Sequence, residues 1–265
     1  MAGVRQAVFD KQVVQQSFDL ASDRYNQFTS LQRTIGDRLL ERIDVCSQGN
    51  VLDIGSGTGY LTKKLTELNH ADDVYALDIS TGMLQQTKLN TRQSSLNGFI
   101  CADAENLPLA KESIRAVYSN LAYQWCSNLG KAIGDVHDIL QTDGVFAFST
   151  FGPKTLQELK SVWATVDGAV HVNYFEDMSD IQGYLERSGF KQITVRSEDI
   201  VVHYDTPKQL MLGLKGMGAH NINQGRNKGL TGVGAFKAML KKYEGLRVES
   251  GIPATYEAVY VYAKK

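Results

Sequence analysis

Three glycines at alternate positions directly after a buried strand constrain this fold more than any other feature of the sequence. The segment VLDIGSGTGY predicts a strand over 50–54, a turn that contains Gly55, Gly57 and Gly59, and a helix that begins near Tyr60. Glycine permits a sharp backbone turn and lets a ligand approach without a Cβ in the way, and the helix start offers unpaired N–H donors. This unit is typical of open α/β sheets that bind a small molecule at the carboxyl ends of their strands.

Predicted strands and helices alternate along most of the chain, which indicates a parallel sheet with helices on both faces. We therefore expect an α/β fold, a Rossmann-like doubly wound sheet of about seven strands. The last strand should be antiparallel and return to the sheet edge. The predicted strands cover 50–54, 74–77, 98–102, 116–119, 144–150, 193–204 and 256–263, and the predicted helices cover 60–69, 81–90, 129–140, 154–166 and 178–188.

Two segments add to this alternation within a single predicted domain. Apolar residues at three- and four-residue steps predict amphipathic helices over 13–42, broken near 26–30, so residues 1–45 form one addition to a core sheet made of 46–204 and 252–265. The other addition, 205–251, is rich in glycine and basic residues. Residues 207–247 carry a charge of +7, against −1 for the whole chain. Either a solvated helix face or a docking surface for an acidic partner explains this charge.

Composition narrows the class of protein. The chain has 265 residues, 43% apolar and 22% charged, which disfavours disordered and strongly nucleic-acid-binding proteins. Its apolar runs fall far short of the ~20 residues that cross a bilayer, and its start lacks the apolar stretch of a signal peptide. The cysteines Cys46, Cys101 and Cys126 are odd in number and without CxxC spacing. We therefore expect a reduced, cytoplasmic protein without a disulfide framework or a metal site.

The glycine spacing and the acids near it suggest which ligand binds. A dinucleotide fold favours GxGxxG, whereas this chain has GxGxG preceded by Asp53. That pattern resembles the first motif of class I S-adenosylmethionine-dependent methyltransferases, although a plain strand-to-helix turn also fits. Asp78 ends the second predicted strand, where a carboxylate accepts hydrogen bonds from both ribose hydroxyls. The resemblance implies that Asp103 holds the adenine amino group. The candidate cofactor-binding residues are Arg33, Gly55, Ser56, Gly57, Asp78, Ile79, Met83, Asp103, Ala104, Asn120 and Leu121.

A narrower resemblance extends over nearly the full chain. The segments SFDLASDRYNQFTSLQR, DAENLPL, SNLAYQWC, FSTFGPKTLQEL, HVNYF and LKGMGAHN resemble, in this order, the malonyl-acyl-carrier-protein O-methyltransferases of biotin synthesis. Ser56 stands where many relatives have cysteine. The resemblance implies methylation of the free carboxylate of a malonyl thioester on acyl carrier protein, which starts pimelate and biotin synthesis. An acidic carrier protein suits the basic segment, and Lys228, Lys241 and Lys242 are predicted to face it.

The expected acceptor needs no general base, because a carboxylate with a pKa of roughly 4 is already ionised at pH 7. Catalysis then consists of placing the oxygen, excluding water and holding the second oxygen. Ordinary packing or surface roles remain open for every candidate, and Arg33 competes as the cation that holds the carboxylate. The candidates are Tyr25 in the lid helices, Trp125 in the pocket wall, His171 and Asn173 as donors, and Lys215 and Arg226 as cations.

Two further hypotheses stay open. A methyltransferase acting on a free small-molecule carboxylate or a quinone precursor would keep every cofactor motif but would have no need of the basic segment. A non-catalytic module that binds the cofactor would keep the fold, although the intact Gly55, Gly57, Asp78 and Asp103 argue against it. A nucleic-acid methyltransferase would favour a motif such as NPPY that holds a flipped base, and SNLAYQW is not of that kind.

Overall fold

The computed structural model describes residues 10–22, 29–42, 49–68, 73–92, 96–167, 169–216 and 232–265. A single mixed β-sheet forms its centre. Its strands are β1 (Val51–Ile54), β2 (Val74–Asp78), β3 (Leu96–Cys101), β4 (Ile114–Asn120), β5 (Leu140–Phe151), β6 (Lys191–Tyr204) and β7 (Ile252–Lys264).

The strand order is β3-β2-β1-β4-β5-β7-β6, with the glycine motif directly after the interior strand β1. Strands β1 to β5 pair in parallel, and β7 pairs antiparallel with both β5 and β6. The predicted fold class is confirmed. The expected position of the last strand at the sheet edge is wrong, because β7 lies between β5 and β6. Its nearly continuous buried residues suit an interior strand, whereas β6 alternates in exposure as an edge strand does.

Helices cover both faces of the sheet and bury one apolar core on each. One core includes Leu39, Leu61, Trp163 and Met239. The other includes Ile133 and Ile181, together with further side chains of the two helices that carry them. The helices are α1 (Lys11–Ala21), α2 (Ser30–Glu41), α3 (Tyr60–Leu68), α4 (Thr81–Asn90), α5 (Leu129–Ile139), α6 (Gln157–Ala164), α7 (Met178–Arg187), α8 (Pro207–Gly216) and α9 (Val233–Glu244).

Polar side chains set where several helices begin. Ser80 accepts the N–H of Met83 at the start of α4, and Asn128 accepts the N–H of Lys131 at the start of α5. Both caps follow loops at the carboxyl ends of strands, so they fix the loops that border the candidate site. None of the helices in the described ranges is long and apolar enough to cross a membrane.

Two strands begin four residues earlier than predicted. β5 begins at Leu140, immediately after α5, although the sequence predicts a helix through 140 and a strand only from 144. β7 begins at Ile252, four residues before the predicted strand. In the basic segment the described parts form α8 and α9, whereas 217–231 lies outside the described residues.

Candidate active site

The glycine turn after β1 is built around positive backbone torsions and a carboxylate. Gly55, Gly57 and Gly59 have φ of +72°, +56° and +86°. A Cβ on Gly55 would lie 2.2 Å from the Cβ of Ala122, so a side chain at Gly55 is excluded. The N–H of Gly57 donates to Oδ2 of Asp78 over 2.8 Å. The turn therefore keeps the end of β2 close to the end of β1.

An open crevice of about 650 Å³ lies at the carboxyl ends of β1, β2 and β4. Most of the predicted cofactor-binding residues come together here, from loops that are far apart in sequence. The predicted residues that line it are Gly55, Gly57, Asp78, Ile79, Met83, Asp103, Ala104, Asn120, Leu121 and Trp125.

Two buried acids lie under the glycine turn. Burial raises the pKa of Asp78 to about 6, although the backbone N–H groups of Ser80 and Gly57 oppose the shift by donating to its carboxylate. Burial also raises the pKa of Asp53 to about 7, and the charge of Asp78 adds to this rise. The hydroxyl of Thr62 donates to Oδ2 of Asp53 over 2.5 Å, while Oδ1 has no hydrogen-bond partner among the described residues. Both acids therefore titrate near neutral pH.

Helix α1 crosses from one crevice loop to another. The ammonium of Lys11 lies 3.1 Å from Oδ1 of Asp103, contacts Glu105 and donates to the carbonyl of Trp125 over 3.3 Å. Near the other end of α1, Oδ1 of Asp19 accepts from the hydroxyl of Ser80 at 2.5 Å and from the N–H of Gly82. Lys11 is not among the predicted site residues, because nothing in a helical pattern indicates an ion pair across 92 residues.

A further cavity of about 420 Å³ continues from the crevice along the glycine turn and shares Gly55, Gly57 and Asn120 with it. Arg33 and Ser56 line this cavity. The Ser56 hydroxyl is buried without a hydrogen-bond partner among the described residues. A guanidinium and an unpaired hydroxyl at this end would complement a charged, polar group.

A second large cavity of about 580 Å³ adjoins the crevice and shares Phe18, Leu121 and Trp125 with it. Its described lining holds no charged side chain. Leu121 and Leu156, which both line it, adopt the left-handed region with φ of +55° and +56°. Such strain in non-glycine residues is concentrated at functional sites. The remaining lining residues are Leu31, Gln32, Gln124, Phe151, Thr155, Asn173, Phe175, Leu214 and Tyr256.

The predicted catalytic residues do not come together. Trp125 lines both the crevice and the second cavity. His171 lines neither, because its ring stacks 3.5 Å from the Trp163 ring and its Nε2 lies 2.7 Å from Oδ1 of Asp167. Lys215 is exposed near the end of α8 and does not line either cavity. The two other candidates, Tyr25 and Arg226, lie outside the described residues.

Known proteins resemble this chain in sequence and in fold. A family model described as a methyltransferase domain matches residues 52–148. Malonyl-[acyl-carrier protein] O-methyltransferase of Gallionella capsiferriformans is 40% identical, covering 97% of this chain and 92% of the relative. The enzyme of the same name from a Methylovorus species is 39% identical, covering 97% and 90%. This chain belongs to the malonyl-[acyl-carrier protein] O-methyltransferase family. The predicted enzyme class is confirmed with it: the chain is an S-adenosylmethionine-dependent methyltransferase.

Solved structures of other proteins have a similar fold. The YcgJ protein of Bacillus subtilis superposes with a TM-score of 0.64 at 15% identity, covering 88% of this chain and 98% of that protein. At this identity the likeness shows the fold alone.

The residues at the crevice fit the cofactor of this family. Asp78 and Asp103 offer carboxylates to hydroxyl and amino donors, while Met83 offers an apolar surface to a flat ring. Arg33 and Ser56 line the cavity that continues along the glycine turn, and the Ser56 hydroxyl has no hydrogen-bond partner among the described residues. The site therefore has carboxylate acceptors, an apolar wall and a cation, which are the kinds of group that an adenosine joined to an amino acid requires.

Proposed function

We propose that this chain transfers a methyl group from S-adenosylmethionine to the free carboxylate of a malonyl thioester carried by acyl carrier protein. The observation that carries the proposal is the junction of two cavities of different chemistry at Phe18, Leu121 and Trp125. The crevice offers carboxylates and the glycine turn to the cofactor. No charged side chain is among the described residues that line the second cavity. This cavity adjoins the crevice, and a site for the methyl acceptor must lie next to the cofactor.

The proposed cofactor contacts follow from the crevice lining. Asp78 accepts from the ribose hydroxyls, Asp103 accepts from the adenine amino group, and Arg33 binds the carboxylate of the amino-acid part. The other proposed cofactor-binding residues are Gly55, Ser56, Gly57, Ile79, Met83, Ala104, Asn120 and Leu121.

When bound, S-adenosylmethionine supplies an electrophilic methyl group on a positively charged sulfur. The protein then has to orient the acceptor and exclude water, because a carboxylate with a pKa of roughly 4 is already ionised at pH 7. The rings of Phe18 and Trp125 meet edge to face at 5.5 Å and form an apolar wall between the two cavities. His171 receives no role as a base in this proposal, because Trp163 and Asp167 already engage its ring.

The proposed docking surface for the carrier protein lies on α8 and α9. Lys208, Lys215, Lys237 and Lys241 are exposed on these two helices, which pack against each other. The neighbouring Leu214 of α8 lines the second cavity. A carrier protein that binds there would therefore be close to the cavity that its acyl group enters. Electrostatic complementarity of this kind raises the rate of association and selects the partner.

A cytoplasmic location belongs to the proposal. Cys101 is a free, exposed thiol in the structure, and such thiols persist in a reducing compartment.

The test is a methyl-transfer assay with labelled S-adenosylmethionine and three acceptors: malonyl-acyl carrier protein, malonyl coenzyme A and free malonate. We expect the carrier-linked substrate to have the highest kcat/KM. Equal turnover of free malonate would instead favour a methyltransferase of free carboxylates. Absence of transfer to all three acceptors, despite cofactor binding, would contradict the proposed function.

A further inference from the structure

Asn173 is a buried residue in the wall of the second cavity, and its side-chain oxygen has no hydrogen-bond partner among the described residues. The residue is 6% exposed and lines the cavity, and its Oδ1 is fully buried and unpaired among the described residues. The large majority of buried polar side-chain atoms in proteins have a hydrogen-bond partner, so each exception calls for an explanation. A residue on a cavity wall whose buried side-chain oxygen has no partner among the described residues is a candidate for contact with a ligand.

Three other polar side chains of the same wall, Gln124, Thr155 and Tyr256, already have hydrogen-bond partners. Nε2 of Gln124 donates to the carbonyl of Leu121 over 2.7 Å. The hydroxyl of Thr155 donates to a main-chain carbonyl, and the Tyr256 hydroxyl lies 3.0 Å from that of Tyr204. These groups hold the cavity in shape. The side-chain oxygen of Asn173 has no such partner among the described residues, and the residue lines the cavity that the acyl group is proposed to enter.

We propose that the side-chain amide of Asn173 binds the free carboxylate of the malonyl group, with Nδ2–H donating to the oxygen that is not methylated. The inference rests on the proposed function and identifies its acceptor-binding residue. Rotation of an amide by 180° exchanges its oxygen and nitrogen, so either end of Asn173 can face the ligand. A hydrogen bond to a charged oxygen is stronger than one between neutral groups.

A neutral donor suits this reaction better than a cation. A close ammonium or guanidinium would draw negative charge from the attacking oxygen, whereas a single amide hydrogen bond orients the carboxylate and leaves most of its charge in place. Methylation removes that charge. The bond from Asn173 to the resulting ester is then an ordinary one between neutral groups, so the same residue holds the substrate more tightly than the product.

Two substitutions at Asn173 test the inference. Asn173→Leu keeps the side-chain size but removes all hydrogen bonding, and the variant should fold with a Tm no lower than that of the natural protein. We expect its kcat/KM for malonyl-acyl carrier protein to fall at least tenfold, with the Kd for S-adenosylhomocysteine changed less than twofold. Asn173→Asp places a like charge beside the carboxylate, so it should lose more activity at pH 8 and regain part of it as the pH falls.

Tyr123→Phe is the matched control. The Tyr123 hydroxyl is also buried without a partner among the described residues, but it lines neither the crevice nor the second cavity. Its removal should leave kcat/KM unchanged. The methyl ester of malonyl-acyl carrier protein gives a second readout: because the ester carries no charge, it should inhibit Asn173→Asp and the natural protein with similar affinity.

The outcomes separate this inference from the function on which it rests. If the natural protein methylates malonyl-acyl carrier protein and Asn173→Leu does so with the same kcat/KM, the inference is overturned and the function stands. If the natural protein binds the cofactor but does not methylate the carrier-linked substrate, both are overturned. A weaker Kd for S-adenosylhomocysteine in Asn173→Leu would also overturn the inference, because it would assign the residue to the crevice.

Discussion

The ammonium of Lys11 lies 3.1 Å from Oδ1 of Asp103, so α1 is tied to the loop that follows β3. Burial lowers the pKa of Lys11, but the nearby acidic groups raise it by more, so the pKa of Lys11 lies above its ordinary value. The same carboxyl group of Asp103 accepts the N–H of Glu105 over 3.0 Å. The proposed adenine end of the crevice and helix α1 therefore share one charged contact.

Removal of this ion pair should loosen α1. We expect Lys11→Met to speed amide hydrogen exchange within residues 10–22 and to weaken S-adenosylhomocysteine binding about three- to tenfold, as the loss of a partly buried charged hydrogen bond of about 1 kcal/mol predicts. Lys111→Met is the control, because its ion pair with Asp138 is much more exposed. Unchanged exchange in α1 would show that the apolar contacts of the helix suffice to hold it.

Cofactor binding should depend on the protonation of Asp78. Its pKa is about 6, so lowering the pH from 7 to 5 places a proton on the carboxylate that is proposed to accept from the ribose. We expect the affinity for S-adenosylhomocysteine, measured by calorimetry, to fall about tenfold over this range. Asp78→Asn should bind weakly at every pH and lack this dependence. A parallel pH profile in the variant would assign the dependence to another group.

Asp53 should make the protein less stable as the pH rises. Its pKa is raised to about 7, so between about pH 4 and pH 7 the folded state holds more protons than the unfolded state. The free energy of unfolding therefore falls across this window. Asp53→Asn removes the buried charge, and its amide oxygen still accepts from Thr62. Urea titrations should find the variant more stable by roughly 2 kcal/mol at pH 8, with a smaller difference at pH 5. An equal difference at both values would contradict the assignment.

Reversal of charge on α9 should affect the carrier-linked substrate alone. Lys237 and Lys241 are exposed, whereas Lys242 donates to the carbonyl of Thr165 over 2.8 Å and so has a structural role. We therefore choose Lys237→Glu with Lys241→Glu and expect a tenfold or larger rise in KM for malonyl-acyl carrier protein, which shrinks at high salt.

The control for the α9 double variant makes the same change of net charge on a different part of the surface. Lys111→Glu with Lys191→Glu alters two exposed lysines at the end of the sheet opposite the crevice, next to the starts of β4 and β6. Turnover of malonyl coenzyme A should be unchanged in both double variants. Equal effects of the two pairs on KM would indicate a response to net charge, without a docking surface on α9.

Much of the crevice follows from the sequence, because local signals position it. Glycine spacing and strand periodicity place Gly57, Asp78, Asp103 and Asn120 at the ends of neighbouring strands, and all four line one crevice. Each prediction needs only the identity of a strand and the residue that ends it. The carboxyl ends of parallel strands then bring these side chains together without further information.

The second cavity is different, because its walls come from distant parts of the chain. Phe18, Leu156, Leu214 and Tyr256 belong to separate elements and meet only through tertiary packing. Hydrophobic periodicity identifies such residues as buried but does not distinguish a cavity wall from a filled core. His171 shows the reverse case: a histidine between polar and aromatic residues resembles a functional group, yet its ring packs on a tryptophan.

The place of β7 in the sheet sets an order in which the two cavities can be completed. Strand β7 leaves the ribosome after β5 and β6 and fills the gap between them, and it brings Tyr256 into the second cavity. The crevice, in contrast, takes its strand and loop residues from the portion before 127. During synthesis the chain therefore has every described residue of the crevice long before it can complete the second cavity.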